Sequence, residues 1–302
     1  MRTLLTMALL LCWVAPASAV NFYDELHLQM DVLQTLNTPS ASEAKASKQC
    51  RQRYERLFQD GTLNVLIGFG YSDSVPHDVV FDWYMVNGFR MALTEKCRPG
   101  ISACGFKAVA SKSDVFERTM KTPQGRTVRV EVTLLRPSLS GSHAQNTSAH
   151  NRERQLTLCQ SVENRFYQEL ERGPEVVYYS GHSRNGGAPD FCPPRVRADG
   201  HVDYPWYQRQ RPGLNRLLQS LRLARTTQIL AMHSCDSTRH YRRRVLNIRP
   251  EMAIFSTPDL VKMAPDFRNQ YGGLDALLSQ RCEEGLQDSM TEGLPMDIHG
   301  MF

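Results

Sequence analysis

The sequence predicts an α/β fold, a three-layer α/β/α sandwich built around a mostly parallel sheet. Three observations predict it. Thr62 to Gly70 (TLNVLIGFG) is a continuous apolar run, the pattern of a strand buried on both faces. Leu158, Val162, Phe166 and Leu170 recur at i+4 steps, the apolar stripe of a helix. Strand-like and helix-like segments then alternate along most of the chain, which favours a parallel sheet covered by helices on both sides.

Taken in order, residues 1–19 (MRTLLTMALLLCWVAPASA) combine Arg2, an apolar run from Leu4 to Val14 and Ala17-Ser18-Ala19. That is the plan of a secretory signal cut after Ala19, and its apolar run is too short to span a bilayer. The expected destination is the periplasm or the extracellular space, with no integral membrane span. Residues 20–60 read as an N-terminal helical extension and linker: helical spacing over Asn21 to Asn37, the small polar stretch TPSASEAKASK, and a short helical piece from Cys50 to Phe58. Residues 61–302 form the main domain. After the first strand comes a helix over Val79 to Leu93, a strand over Phe106 to Ala110, and a hairpin made of VFERTM and TVRVEVTLL around Pro123-Gln124-Gly125. Ser138 to Asn151 reads as a polar loop containing the glycosylation spelling Asn146-Thr147-Ser148. A helix over Gln155 to Leu170 leads to the strand EVVYYS. Beyond an irregular stretch to Arg211, the helix LNRLLQSLRLA precedes the strands TQILAMHS and MAIFST.

Lys and Arg number 36 against 31 Asp and Glu, too small a surplus to mark a nucleic-acid binder. Eight cysteines are present, and losing Cys12 with the signal leaves seven. An exported chain pairs its thiols, so an odd number implies one left over. Cys97 and Cys104 flank a short loop and are expected to bridge.

The stretch YYSGHSRNGG (Tyr178 to Gly187) carries the chemistry question. Without Asn185 it would spell the serine turn of an α/β-hydrolase, which needs G-x-S-x-G and a helix launched directly from the serine. Here Gly186 falls one position late and a proline-rich stretch follows. A serine esterase through Ser183, with Asp259 and His299 completing the order, is therefore one reading. The other uses Cys235, which ends a strand and precedes STRHYRRRVL, a helix start whose dipole and arginines favour a thiolate. His182 ends an earlier strand 53 positions upstream, so both side chains belong to the carboxyl rim of one sheet, where α/β proteins bind ligands.

At VVYYSGHS and QILAMHSC, and at the ADG of Ala198 to Gly200, the chain resembles the caspase–gingipain–legumain superfamily of cysteine peptidases, in its CHAT and separase-like branch. The resemblance covers roughly Val176 to Ser256. It implies a caspase-like fold and a polypeptide substrate, and it needs no cofactor or metal. It also implies His182 as acid–base, Cys235 as nucleophile and the backbone N–H of Ser183, with that of Cys235, as oxyanion donors. Ser183 stands where the family has glycine after the histidine, and Met232-His233-Ser234 replaces its small-residue lead-in.

Each residue also has a plainer reading. Cys235 is a buried structural thiol or a paired one, His182 a strand-end hydrogen-bonding group, and His233 a packed core residue. A zinc site drawn from His182, His201, His233, His240 and Cys235 lacks compact ligand spacing. The Arg239 to Arg244 run reads as a solvated helix face or a contact for an acidic substrate, and Asp190 and Asp236 lie near the motifs without an assigned role. The alternative to an enzyme is a non-catalytic caspase-like binding module.

Overall fold

The computed structural model describes residues 48–71, 80–261, 263–291 and 295–301. The expected signal peptide, the helix over residues 21–37 and the linker lie outside the described residues. Elements run in the order α1 (Lys48–Leu57), β1 (Thr62–Phe69), α2 (Phe81–Thr94), β2 (Lys107–Val109), β3 (Lys112–Lys121), β4 (Thr127–Leu135), α3 (His143–Thr147), α4 (Arg152–Glu171), β5 (Val176–Ser180), α5 (Tyr204–Gln210), α6 (Pro212–Leu223), β6 (Ile229–His233), α7 (Arg243–Leu246), β7 (Ala253–Ser256), α8 (Met263–Leu278), α9 (Glu283–Thr291) and β8 (Asp297–His299).

One eight-stranded sheet has the order β2-β3-β4-β1-β5-β6-β7-β8. The five strands from β4 to β7 are parallel, and β2, β3 and β8 are antiparallel additions at the edges. The fold class is thus α/β with a mostly parallel sheet between helices. Alternation along each buried strand divides the core in two. Val65, Ile67, Val176, Tyr178, Ile229 and Ala231 face the layer that includes α1, α2, α8 and α9. Leu66, Val177, Tyr179, Leu230 and Met232 face α4 and α6. On β1, Gly68 faces α4, where a Cβ would fall 2.6 Å from the Phe166 ring, so only glycine lets strand and helix close this gap.

Three disulfides brace the domain. Cys97–Cys104 closes the expected short loop, Cys159–Cys192 fastens the stretch after β5 to α4, and Cys50–Cys282 ties α1 to the turn before α9. Three bridges mark an oxidising compartment. Cys50, Tyr54, Leu57 and Phe58 are buried in the main core, so α1 packs as part of the domain although the sequence places it in the extension. No described helix is long and apolar enough to cross a membrane. The stretch read as a polar loop contains α3, and its Asn146 is 2% exposed with its amide bonded to both the N–H and the carbonyl of Ser140. The glycosylation spelling there is structural, not accessible.

Candidate active site

β5 and β6 are adjacent and parallel, with Ser180 paired to His233. His182 and Cys235 each come two residues after that pair, and the Gly181 amide donates to the His233 carbonyl at 3.0 Å, extending the pairing past the strand ends. Neighbouring strands stand about 4.8 Å apart. The two residues therefore leave the sheet side by side at one register, each half-buried.

The arm beyond His182 is a left-handed turn. Arg184 (φ 46°), Asn185 (φ 51°) and Gly186 (φ 82°) follow one another in the region L-residues avoid. Asn185 tolerates this conformation and is exposed, while Arg184 is held there by a buried ion pair to Asp190 at 3.1 Å. The turn closes on the Ser183 carbonyl, which accepts from the amides of Gly186 (2.8 Å), Gly187 (3.1 Å) and Ala188 (3.2 Å) and from the Tyr241 hydroxyl (3.0 Å). The residue that spoils the serine motif is thus one that builds the turn. No helix is launched from Ser183, as a hydrolase elbow requires.

The arm beyond His233 is laced to the end of β7. The Ser237 hydroxyl donates to the Met232 carbonyl (2.6 Å) and accepts from the Thr257 amide (2.7 Å), and the Asp236 amide donates to the Asp259 carbonyl (2.9 Å). Asp236 itself is left-handed (φ 54°). The helix expected right after Cys235 begins instead as a π turn, Thr238–Arg242, and continues as the single turn α7. Cys235 therefore precedes the helix without capping it, and the dipole contribution predicted from sequence is correspondingly reduced. π turns recur at functional sites because they re-aim side chains. Here Tyr241 turns inward to the Ser183 carbonyl, and His240 packs against Gly186, where a Cβ would come within 3.0 Å of its Nδ1. The two arms are joined by these contacts as well as by the sheet.

Cys235 is the one free cysteine among the described residues. Its sulfur accepts from the Val261 amide at 3.4 Å. The backbone N–H groups of Ser183 and Cys235 donate to no described group.

Charges around the site are paired. Asp190 is pushed above the usual carboxylate range by burial, with Arg184 acting the other way. Asp236 meets Arg239 at 3.1 Å and lies 3.8 Å from His240, whose imidazole burial pushes down despite that carboxylate. Neither aspartate is an unpaired anion for a basic side chain. Of the arginine run, Arg242 meets Asp297 while Arg243 and Arg244 are exposed.

Other sequence candidates are dispersed. His299 lies on β8, three strands from β5 and so about 14 Å away in the sheet, and Asp259 is exposed. The Ser183–Asp259–His299 set is not assembled. His201 is exposed on a loop, and among the described residues no three His, Cys, Asp or Glu side chains converge on a metal position. His233 is wholly buried. Its Nδ1 faces Asp266 Oδ1 at 3.1 Å, and the Ser180 hydroxyl donates to Asp266 Oδ2 at 2.8 Å. Ser180 bonds the aspartate and not the histidine, and all three are sealed from solvent, so this is no hydrolytic triad. Asp266 and its neighbour Gln270 escape a sequence reading because α8 carries Pro265 in its first turn and Gly272-Gly273 in its middle, which blur the helical period.

The chain matches no family model, no curated protein and no solved structure. What can be said of its chemistry rests on this geometry.

Proposed function

We propose that this chain is an exported cysteine endopeptidase of caspase-like fold, acting by acyl transfer through His182 and Cys235. The observation that carries the reading is the juxtaposition of the unpaired thiol with His182, on adjacent parallel strand ends at one register. The reading is supported by the placement of the histidine after β5 and the cysteine after the adjacent β6, the two positions the resemblance implies.

In this mechanism His182 accepts the proton of the Cys235 thiol, and the sulfur attacks the scissile carbonyl carbon. The amides of Ser183 and Cys235 hold the resulting oxyanion. Collapse breaks the C–N bond as His182 returns the proton to the leaving amine. Water, deprotonated by the same imidazole, then hydrolyses the thioester and restores the thiol.

The test is cleavage of a diverse peptide library, read by mass spectrometry, with the wild type and the folded Cys235→Ala and Ser183→Ala variants. Cleavage that needs Cys235 and tolerates Ser183→Ala supports the reading. Cleavage that survives Cys235→Ala but not Ser183→Ala overturns it in favour of a serine hydrolase. A wild type that cleaves nothing and captures peptides intact marks a binding module.

A further inference from the structure

One layer beneath the two candidate residues lies a buried polar network that the proposed mechanism does not use. Ser180 and His233 face each other across β5 and β6, two residues before His182 and Cys235 respectively. Asp266, from α8, accepts from the Ser180 hydroxyl at 2.8 Å on Oδ2 and faces His233 Nδ1 at 3.1 Å on Oδ1. Gln270, one turn further along α8, donates from Nε2 to Asp266 Oδ2 at 2.7 Å and to the Ser180 hydroxyl at 2.8 Å. A carboxylate opposite Nδ1 assigns the proton to that nitrogen. One carboxylate thus gathers three donors, two of them from different strands.

The layer is poorly built for stability alone. All four side chains are 0% exposed, yet His233 Nε2 has no hydrogen-bond partner, nor has the hydroxyl of Tyr178, whose ring stacks on His233 at 5.7 Å. Each orphaned buried group costs about 1–3 kcal/mol, and apolar residues of similar shape would avoid it. Polarity retained at a loss in the core is a mark of a functional requirement. What distinguishes this layer is its position: Asp266 bonds the side chains of the last residues of β5 and β6, just before the two arms depart.

We infer that Asp266 is a positioning residue for the His182–Cys235 pair, clamping the ends of β5 and β6 through Ser180 and His233 so that imidazole and thiol stay in reach of each other. This inference rests on the proposed dyad. Proton transfer between the pair depends on their separation, and a misplacement of about 1 Å can cost on the order of 10²-fold.

The test is the second-order rate of Cys235 alkylation by iodoacetamide on the intact, unreduced chain, near pH 6 and near pH 9, with melting curves in parallel. Near pH 9 hydroxide supplies the thiolate, whereas near pH 6 the imidazole must, so the ratio of the two rates reports the pairing and not exposure. His182→Ala sets the unpaired ratio. Asp266→Asn and Ser180→Ala are expected to lower the wild-type ratio about tenfold towards it, while keeping a cooperative melt and all three disulfides. If Asp266→Asn does not fold, Ser180→Ala decides alone, since it removes one strand from the clamp and leaves His233 and Gln270 on Asp266. Folded variants with the wild-type ratio overturn the positioning role and leave the dyad standing. A wild type whose ratio equals that of His182→Ala overturns the dyad, and this inference with it.

Discussion

The two rims of the sheet use their polar groups differently. At the amino-terminal rim Arg249 and Glu175 tie loops and strand starts together. Arg249 donates to the carbonyls of Leu221 (3.1 Å), Ala224 (2.7 Å) and Thr227 (2.8 Å) and meets Glu251 at 2.5 Å, while Glu175 accepts from the Asn64 amide (2.6 Å) and side chain (3.1 Å). At the carboxyl rim the Ser183 and Cys235 amides donate to no described group, and Cys235, outside any disulfide, accepts only from the Val261 amide. Among the described residues, three of the five left-handed non-glycine ones, Arg184, Asn185 and Asp236, lie beside them. Strain concentrates where the surrounding contacts over-determine it, and such places are where chemistry is expected. A cavity lined by Arg51, Tyr54, Phe58, Arg126 and Gln280 lies by α1 and does not include Cys235. Donors without a partner beside a free thiol are the better guide, because catalysis needs groups that are positioned and not already satisfied.

The contrast is broken most severely by touching the carboxyl rim. Cys235→Ala is expected to abolish covalent turnover, and His182→Ala to lower it by about 10²–10⁴-fold, the usual worth of a positioned acid–base group. Both should melt like the wild type, since neither side chain is a buried core group. A peptide assay with parallel melting curves checks the pair. At the other rim the expectation is inverted. Arg249→Met strips donors from several loop carbonyls and should destabilise the fold by about 2–4 kcal/mol in urea unfolding, with the alkylation rate of Cys235 in the folded fraction unchanged.

Most of the fold was legible in the sequence, and the part that was not explains itself physically. The strands β1, β5, β6 and β7 are mostly apolar runs, β4 alternates, and the helices α2, α4 and α6 carry clear stripes, so their alternation announces the parallel sheet. The edge strand β8 is three residues long, and α8 buries Asp266, Asn269, Gln270 and Asp275, inverting the polar-outside pattern on which helix reading depends. For the site, His182 and Cys235 were legible as strand-end residues of reactive type. That Asn185 builds a left-handed turn, that Asp236 separates Cys235 from its helix, and that Asp266 anchors the layer beneath are properties of three-dimensional closure that no local pattern encodes.

A smaller effect concerns pH. Asp82 and Asp275 are fully buried, and burial raises each to about 6 from an ordinary value of 3.8, against the pull of hydrogen bonds from Ser138 to Asp82 and from Ser102 and Ala103 to Asp275. Between those values the folded chain holds a proton that the unfolded chain has lost. The contribution of each is therefore fully present below about pH 4 and is lost as pH rises through about 6. Asp82→Asn keeps partners for Ser138 without the ionisation. Its melting temperature relative to wild type should rise by a few degrees between pH 4 and pH 7; an unchanged difference would mean that Asp82 titrates normally. The smallest expected effect is that of Ser183→Ala, which keeps the backbone N–H that carries its proposed role and should hold turnover within about threefold.

The central claim is tested most directly by trapping the acyl-enzyme position. The intact, unreduced protein is incubated with a library of peptidyl acyloxymethyl ketones, electrophiles that capture a cysteine paired with an acid–base group, and the adduct is mapped by peptide mass spectrometry. The account predicts one adduct, on Cys235, formed about 10²–10⁴-fold more slowly when His182 is alanine. An adduct on Ser183, labelling of Cys235 at the same rate with and without His182, or a Cys235 found in a disulfide would contradict it.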